Sequence, residues 1–229
     1  MNDKPKKPEN KVITFTDIES ALNSRVEKIE DEFRDGFNFI KKYNRTVTFF
    51  GSARTAESNS DYIQASSLAS RISKELGYTI VTGGSIGIME AANKGATEEG
   101  GKSIGLNIKL PHEQSVNKYL TDYIEFNYFF SRKVCLSFSA EAFIYFPGGF
   151  GTMDELFEIL TLIQTGKVKK TPIILVGSYF WNNFDKFIKE NLLGNEKISH
   201  GDTDLYAITD NEDEIIEIIK NAPIRIGFN

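Results

Sequence analysis

The fold this sequence predicts is a Rossmann-like, doubly wound α/β domain: a mostly parallel sheet with helices on both faces, preceded by an N-terminal helical extension. From residue 46 onward, short β-branched and aromatic runs alternate with amphipathic stretches, the pattern of strand–helix units. The runs are apolar almost throughout, as strands covered on both faces must be. Several of them also end in small residues, which in such sheets mark the edge where ligands bind.

Taken in order, residues 1–11 are rich in proline and lysine and are expected to be disordered. Residues 18–43 place Leu22, Val26, Ile29, Phe33, Phe37 and Ile40 three or four apart, the spacing of an amphipathic helix or helix pair. Together, 1–45 form an appended unit and 46–229 the nucleotide-binding domain. A strand at 46–50 runs into Gly51-Ser52-Ala53. A helix at 61–76 opens on Asp61 and Gln64 in capping-box spacing and closes at Gly77. A strand at 78–82 ends in Gly83-Gly84, a helix covers 88–99, and strands follow at 103–108 and 124–128. Helix 129–138 precedes strand 142–146, which runs into Pro147-Gly148-Gly149. Helix 153–165, strand 172–176 and helices 180–193 and 212–220 complete the chain.

The 229 residues, 40% hydrophobic and 12% aromatic, suffice for one sizeable core. With 27 basic residues against 32 acidic, the net charge of −5 gives no global attraction to nucleic acid. No apolar run reaches the roughly 18–20 residues a membrane helix needs, and the N-terminus lacks a secretory apolar core, so the expected location is cytoplasmic. One cysteine, Cys135, and two histidines leave no zinc site of ordinary spacing and no internal disulfide. No P-loop and no G-x-G-x-x-G dinucleotide spacing occurs, and no metal or cofactor is expected.

The chemistry is expected at three strand ends: Gly51-Ser52-Ala53, Gly83-Gly84-Ser85-Ile86-Gly87 and Pro147-Gly148-Gly149-Phe150-Gly151-Thr152. Glycine lets the backbone approach a ligand, and a following helix turns its free N–H groups toward an anion. The third loop supports two readings. In one, Thr152 is the N-cap of the next helix, with Glu155 completing a capping box and Asp154 favoured by the dipole. In the other, Thr152 and the glycine amides hold a phosphate while a carboxylate faces the substrate.

The nonapeptide Pro147-Gly148-Gly149-Phe150-Gly151-Thr152-Met153-Asp154-Glu155 fits P-G-G-x-G-T-x-x-E at every fixed position, and Arg132-Lys133 stands 15 residues ahead of Pro147. Together with Gly51-Ser52-Ala53, Thr82-Gly83-Gly84, the stretch 87–93, 110–114 and 160–166, these residues resemble the LOG family of cytokinin riboside 5′-monophosphate phosphoribohydrolases, long labelled lysine decarboxylases. The likeness spans 46–177. It implies hydrolysis of the N-glycosidic bond of a nucleoside 5′-monophosphate (AMP or an N6-modified AMP) to free base and ribose 5-phosphate. Catalysis would fall to Arg132 and Glu155. The substrate would be held by Glu113, Arg132, Lys133, Gly148, Gly149, Phe150, Gly151, Thr152, Met153, Asp154 and Thr161, with Gly51, Ser52, Gly83 and Gly84 at the neighbouring strand ends.

Relatives commonly carry a further small residue or Gly-Pro after the glycine pair. Ser85-Ile86 in this chain implies a narrower mouth. The resemblance also implies a homodimer or higher homo-oligomer, for which 22–40 and 156–163 offer apolar faces that core packing explains equally well. The competing reading is a non-catalytic carrier of a nucleotide or of molybdenum cofactor on the same fold. A pyridoxal phosphate decarboxylase is not supported, since no Schiff-base lysine site is evident.

Overall fold

The computed structural model describes residues 14–110 and 116–224; the expected disordered tail at 1–11 and Glu113 lie outside them. Among the described residues, one sheet gathers seven strands: β1 (Thr46–Phe50), β2 (Thr79–Thr82), β3 (Ser103–Ile108), β4 (Asp122–Phe126), β5 (Ala142–Tyr145), β6 (Ile173–Leu175) and β7 (Ala207–Ile208). Every neighbouring pair is parallel, and the order is β4-β3-β2-β1-β5-β6-β7. The seven α-helices are α1 (Phe15–Ile40), α2 (Ser60–Arg71), α3 (Ile88–Glu98), α4 (Phe129–Ser137), α5 (Phe150–Gln164), α6 (Ser178–Phe187) and α7 (Glu212–Lys220).

The apolar strands are explained by the two cores they feed. Because side chains alternate across a strand, Val47 and Phe49 of β1 join residues of α2, α3 and α7 on one face. Phe50 joins residues of α1, α4, α5 and α6 on the other. In β5, Ile144 enters the first core, whereas Phe143 and Tyr145 enter the second. This is the doubly wound arrangement predicted.

Strand order reverses beside β1, whose neighbours are β2 and β5. Chain direction therefore diverges from this point, and a crevice opens at the carboxyl ends of β1 and β5. The Ser52 N–H donates to the Pro147 carbonyl across it at 3.1 Å.

Several local expectations are corrected. Helix α2 is capped by Asn59, whose side chain accepts from the Asp61 N–H, so Asp61 is not the cap; its carboxylate instead accepts from the Tyr179 hydroxyl at 2.7 Å. The residues after α2 continue as a wider π-type turn, Ile72–Leu76, and stop at Gly77 with φ of 68°. Strand β7 was not foreseen; two residues are too few to carry a period.

The region ahead of β1 is one helix rather than a pair. Thr14 and Asp17 cap it reciprocally, and it starts at Phe15, three residues before the expected stretch opens at 18. Leu22 and Val26 are 55% and 62% exposed, so the forward half of the predicted apolar stripe is not covered. The buried face is Glu32, Gly36, Phe39 and Ile40.

Candidate active site

A cavity of about 740 Å³ occupies the crevice, within the range of small-molecule sites. The carboxyl end of β1 contributes Phe50, Gly51, Ser52, Ala53 and Arg54; β2 contributes Gly83; α3 contributes Met89. Arg132 enters from α4, and residues 148–153 with Glu155 complete the lining.

Helix α5 begins at Phe150, and its N-cap is Gly149, with no side-chain cap. The capping-box reading of Thr152 and Glu155 is therefore overturned: glycines 148 and 149 let the helix start one turn earlier than the polar pattern suggested. The first bond back into the turn is Met153 N–H to Gly149 carbonyl at 3.1 Å. The amides of Phe150, Gly151 and Thr152 precede it, at the positive end of a 15-residue helix, which is the arrangement that attracts a phosphate. The Thr152 side chain lies over Gly148, where a Cβ would collide with its hydroxyl. Gly149 and Gly151 face open space, and the Phe150 ring stands 94% exposed.

Arg132 and Glu155 meet at the cavity. The Arg132 side chain is 8% exposed and that of Glu155 15%, and Nη1 lies 3.3 Å from Oε1. The Arg132 Nε–H donates to the Leu106 carbonyl of β3 at 2.6 Å, which fixes the plane of the guanidinium. Gly83 makes room for it, since a Cβ there would strike the Arg132 Nη2. Burial pushes the Glu155 carboxyl up to about 7, and the Arg132 cation only partly opposes it. The Tyr145 hydroxyl donates to the Glu155 carbonyl at 3.2 Å, tying this turn of α5 to β5.

Lys133 and Asp154 form a second pair beside the first, 2.9 Å apart, with Glu158 3.2 Å from the same ammonium. Neither Lys133 nor Asp154 lines the cavity; they strap α4 to α5. Gly84 does not line the cavity either; its φ is 73° and a Cβ there would collide with the Asn107 side chain. Thr161 is exposed three turns along α5, and its hydroxyl donates to the Phe157 carbonyl, so the fold does not bring it into this cavity. Ser85 is buried and Ile86 is 48% exposed, and neither is among the residues that line the cavity.

Sequence reasoning did not assign Arg54 or Met89 to the site, although Met89 lies in the stretch 87–93 that carries the resemblance. Arg54 follows a strand-end glycine loop directly, with its N–H on the Ser52 hydroxyl at 3.0 Å, and that position was the available signal. Met89 is the second residue of α3, behind a Gly87 with φ of 71°. Among the described residues, no three His, Cys, Asp or Glu side chains stand together as metal ligands, and no helix is long and apolar enough to cross a membrane.

Comparison with known proteins gives consistent results. A family model described as possible lysine decarboxylase matches residues 89–219, more than half of the chain. A probable cytokinin riboside 5′-monophosphate phosphoribohydrolase of Oryza sativa subsp. japonica, LOG4, is 28% identical, over 78% of this chain and 77% of its own length. A cytokinin riboside 5′-monophosphate phosphoribohydrolase of Mycobacterium tuberculosis is 33% identical; the match spans 48% of this chain and 58% of that protein. Among solved structures, the molybdenum cofactor carrier protein of Chlamydomonas reinhardtii superposes with a TM-score of 0.58 at 24% identity, covering 78% of this chain and 98% of that one. At that identity the likeness concerns the fold.

Proposed function

This chain belongs to the LOG family, and from that premise we propose that it hydrolyses the N-glycosidic bond of a nucleoside 5′-monophosphate, AMP or an N6-modified AMP, releasing free base and ribose 5-phosphate. The observation that carries the reading is the Arg132–Glu155 pair at 3.3 Å, which lines one cavity together with the uncapped N-terminus of α5.

The division of labour follows from the residue types. The amides of residues 150–152 and the Thr152 hydroxyl take the 5′-phosphate, and that anchoring positions the ribose. As the C1′–N bond breaks, its electron pair leaves with the base and positive charge grows on the ribose ring. The Glu155 carboxylate stabilises that charge electrostatically and accepts a proton from the water whose oxygen bonds to C1′. A carboxyl held at about 7 is divided between its two protonation states near neutrality, the condition that suits a group required to take up and return a proton. Arg132, fixed by Leu106, offers its remaining donors to the phosphate or to the departing base, which gains a proton on leaving. Lys133 and Asp154 act through the α4–α5 contact.

The test is incubation of the purified full chain with a panel of nucleoside 5′-monophosphates, following free base and ribose 5-phosphate by chromatography, with Glu155→Ala as control. Base release that the substitution abolishes supports the reading. A folded protein that binds nucleotide or a pterin cofactor but releases no base would favour the carrier reading, which the fold likeness alone recommends. Cytoplasmic location and a homodimer belong to the same proposal; size-exclusion chromatography with light scattering measures the latter.

A further inference from the structure

Helix α4 carries Arg132 and Lys133 but does not cap itself. Its N-cap is Tyr128, with no side-chain bond, and no acidic residue stands in its first turn. The missing acceptor comes from about 95 residues earlier in the chain. Glu32 of α1 accepts from the Asn127 N–H at 2.6 Å and from its side-chain amide at 2.8 Å through Oε1. Through Oε2 it accepts from the Ser131 hydroxyl at 2.5 Å and, at 3.4 Å, from the Tyr128 N–H. One carboxylate, 9% exposed, thus serves four donors at the positive end of one helix. Burial works to raise this carboxyl, and the bonds from Ser131 and Asn127 outweigh it and keep Glu32 below its ordinary range.

The neighbouring turn of α1 is shaped for the same contact. Gly36 follows Glu32 by four residues and so shares its face. A Cβ at Gly36 would stand 2.5 Å from the Cys135 Sγ of α4 and 3.0 Å from the Phe126 ring. Glycine lets α1 press closely against α4 where Glu32 reaches its end. Leu22 and Val26, at the far end of the same helix, are exposed. The closely packed part of α1 is the part that touches α4.

We propose that Glu32 is a positioning residue: as the external cap of α4 it fixes where Arg132 meets Glu155 and where Lys133 meets Asp154 and Glu158. The appended helix is then a part of the site's scaffold. The chain of contacts runs from Glu32 to the first turn of α4, from Arg132 to Glu155 and from Lys133 to Asp154. This inference rests on the reading of Arg132 and Glu155 as catalytic.

The experiment compares the full chain with Glu32→Ala, Glu32→Gln and Ile219→Val by hydrogen exchange and by initial rates well below each melting temperature. Ile219, buried in α7, controls for stability lost away from the site. Loss of a cap predicts faster exchange across residues 129–137 in Glu32→Ala by about fivefold. Displacement of Arg132 predicts a kcat lower on the order of tenfold, whereas Ile219→Val keeps the wild-type kcat. Glu32→Gln should restore most of both, because its amide oxygen still accepts from Asn127 and its NH2 can donate to the Ser131 oxygen. If Glu32→Ala does not fold, Glu32→Asp, one methylene too short to span Asn127 and Ser131, replaces it.

Unchanged exchange over 129–137 overturns the proposal, and so does an unchanged kcat beside a lowered melting temperature, which describes a merely structural residue. If the wild-type chain releases no base, the hydrolase reading fails separately. The dissociation constant for AMP is then the readout: weakened by Glu32→Ala and recovered by Glu32→Gln if Glu32 positions Arg132, unchanged if it does not.

Discussion

Replacing Glu155 by Gln imitates the protonated carboxyl at every pH, and the structure says what that does to stability. In the folded chain Glu155 titrates at about 7 against an ordinary 4.5, with burial as the main cause and Arg132 in opposition. A carboxyl raised on folding binds its proton more tightly in the native state, so its contribution is fully present below pH 4.5 and is lost as pH rises through about 7. The displacement corresponds to roughly 3 kcal/mol, and at 15% exposure the side chain is little screened by solvent. Below about pH 4.5 both proteins hold a neutral group beside Arg132, and their stabilities should be similar. Above pH 7 Glu155→Gln should be more stable than the parent by about 2–3 kcal/mol, with the difference opening between those limits. Urea unfolding at pH 4.5, 5.5, 6.5 and 8 gives the comparison directly. A difference that stays constant across this range would refute the reasoning, because the carboxyl would then titrate alike in folded and unfolded chains. The same substitution should abolish base release, so stability and activity move in opposite directions.

Two further substitutions probe the walls of the cavity. Arg132→Lys keeps the charge but cannot donate both to the Leu106 carbonyl and to Glu155 as the guanidinium does at 2.6 and 3.3 Å; kcat for base release should fall by about 10²–10³-fold, and a loss below threefold would remove Arg132 from the reacting centre. Gly148→Ala should displace Thr152, whose hydroxyl and Cβ crowd the new methyl group, whereas Gly149→Ala meets nothing within 4 Å. KM for AMP should rise on the order of tenfold for the first and less than threefold for the second; equal effects would mean that Thr152 does not hold the phosphate.

What the sequence made legible follows from the range over which each signal acts. The doubly wound fold was readable because β1, β3 and α7 are local patterns with the period of the element they form, and their observed bounds match the expected ones. The start of α5 was misread because Thr152, Asp154 and Glu155 reproduce the spacing of a capping box. The competing fact, that Glu155 has a buried partner on α4 23 residues away, is tertiary. The cap on Asn59 was missed for a smaller reason: Asn59 and Asp61 are both good caps, and only the observed backbone chooses between them. Glu32 left no signal at all. In the sequence it is one acid among many on an amphipathic helix, and its meaning comes from Asn127 and Ser131, which the fold brings to it. Arg132, Glu155 and 148–153 line one cavity, while Gly84, Lys133, Asp154 and Thr161 do not join them.

The direction in which Glu155 titrates also bears on why the Arg132–Glu155 pair exists. An ion pair serving stability would hold its carboxyl below the ordinary range, because the attraction of the cation would exceed the loss of hydration. Here burial wins even with Arg132 at 3.3 Å, so at neutral pH the ionised carboxylate is a net burden on the fold. Glu32 provides the contrast within the same molecule: its hydrogen bonds from Ser131 and Asn127 outweigh burial and lower it. Both acids touch α4, one at its first turn and one through Arg132. The acid that is fully hydrogen-bonded organises the helix. The acid left under-satisfied faces a cavity beside an uncapped helix end, and a strained charge retained in such a place is better explained by chemistry than by stability.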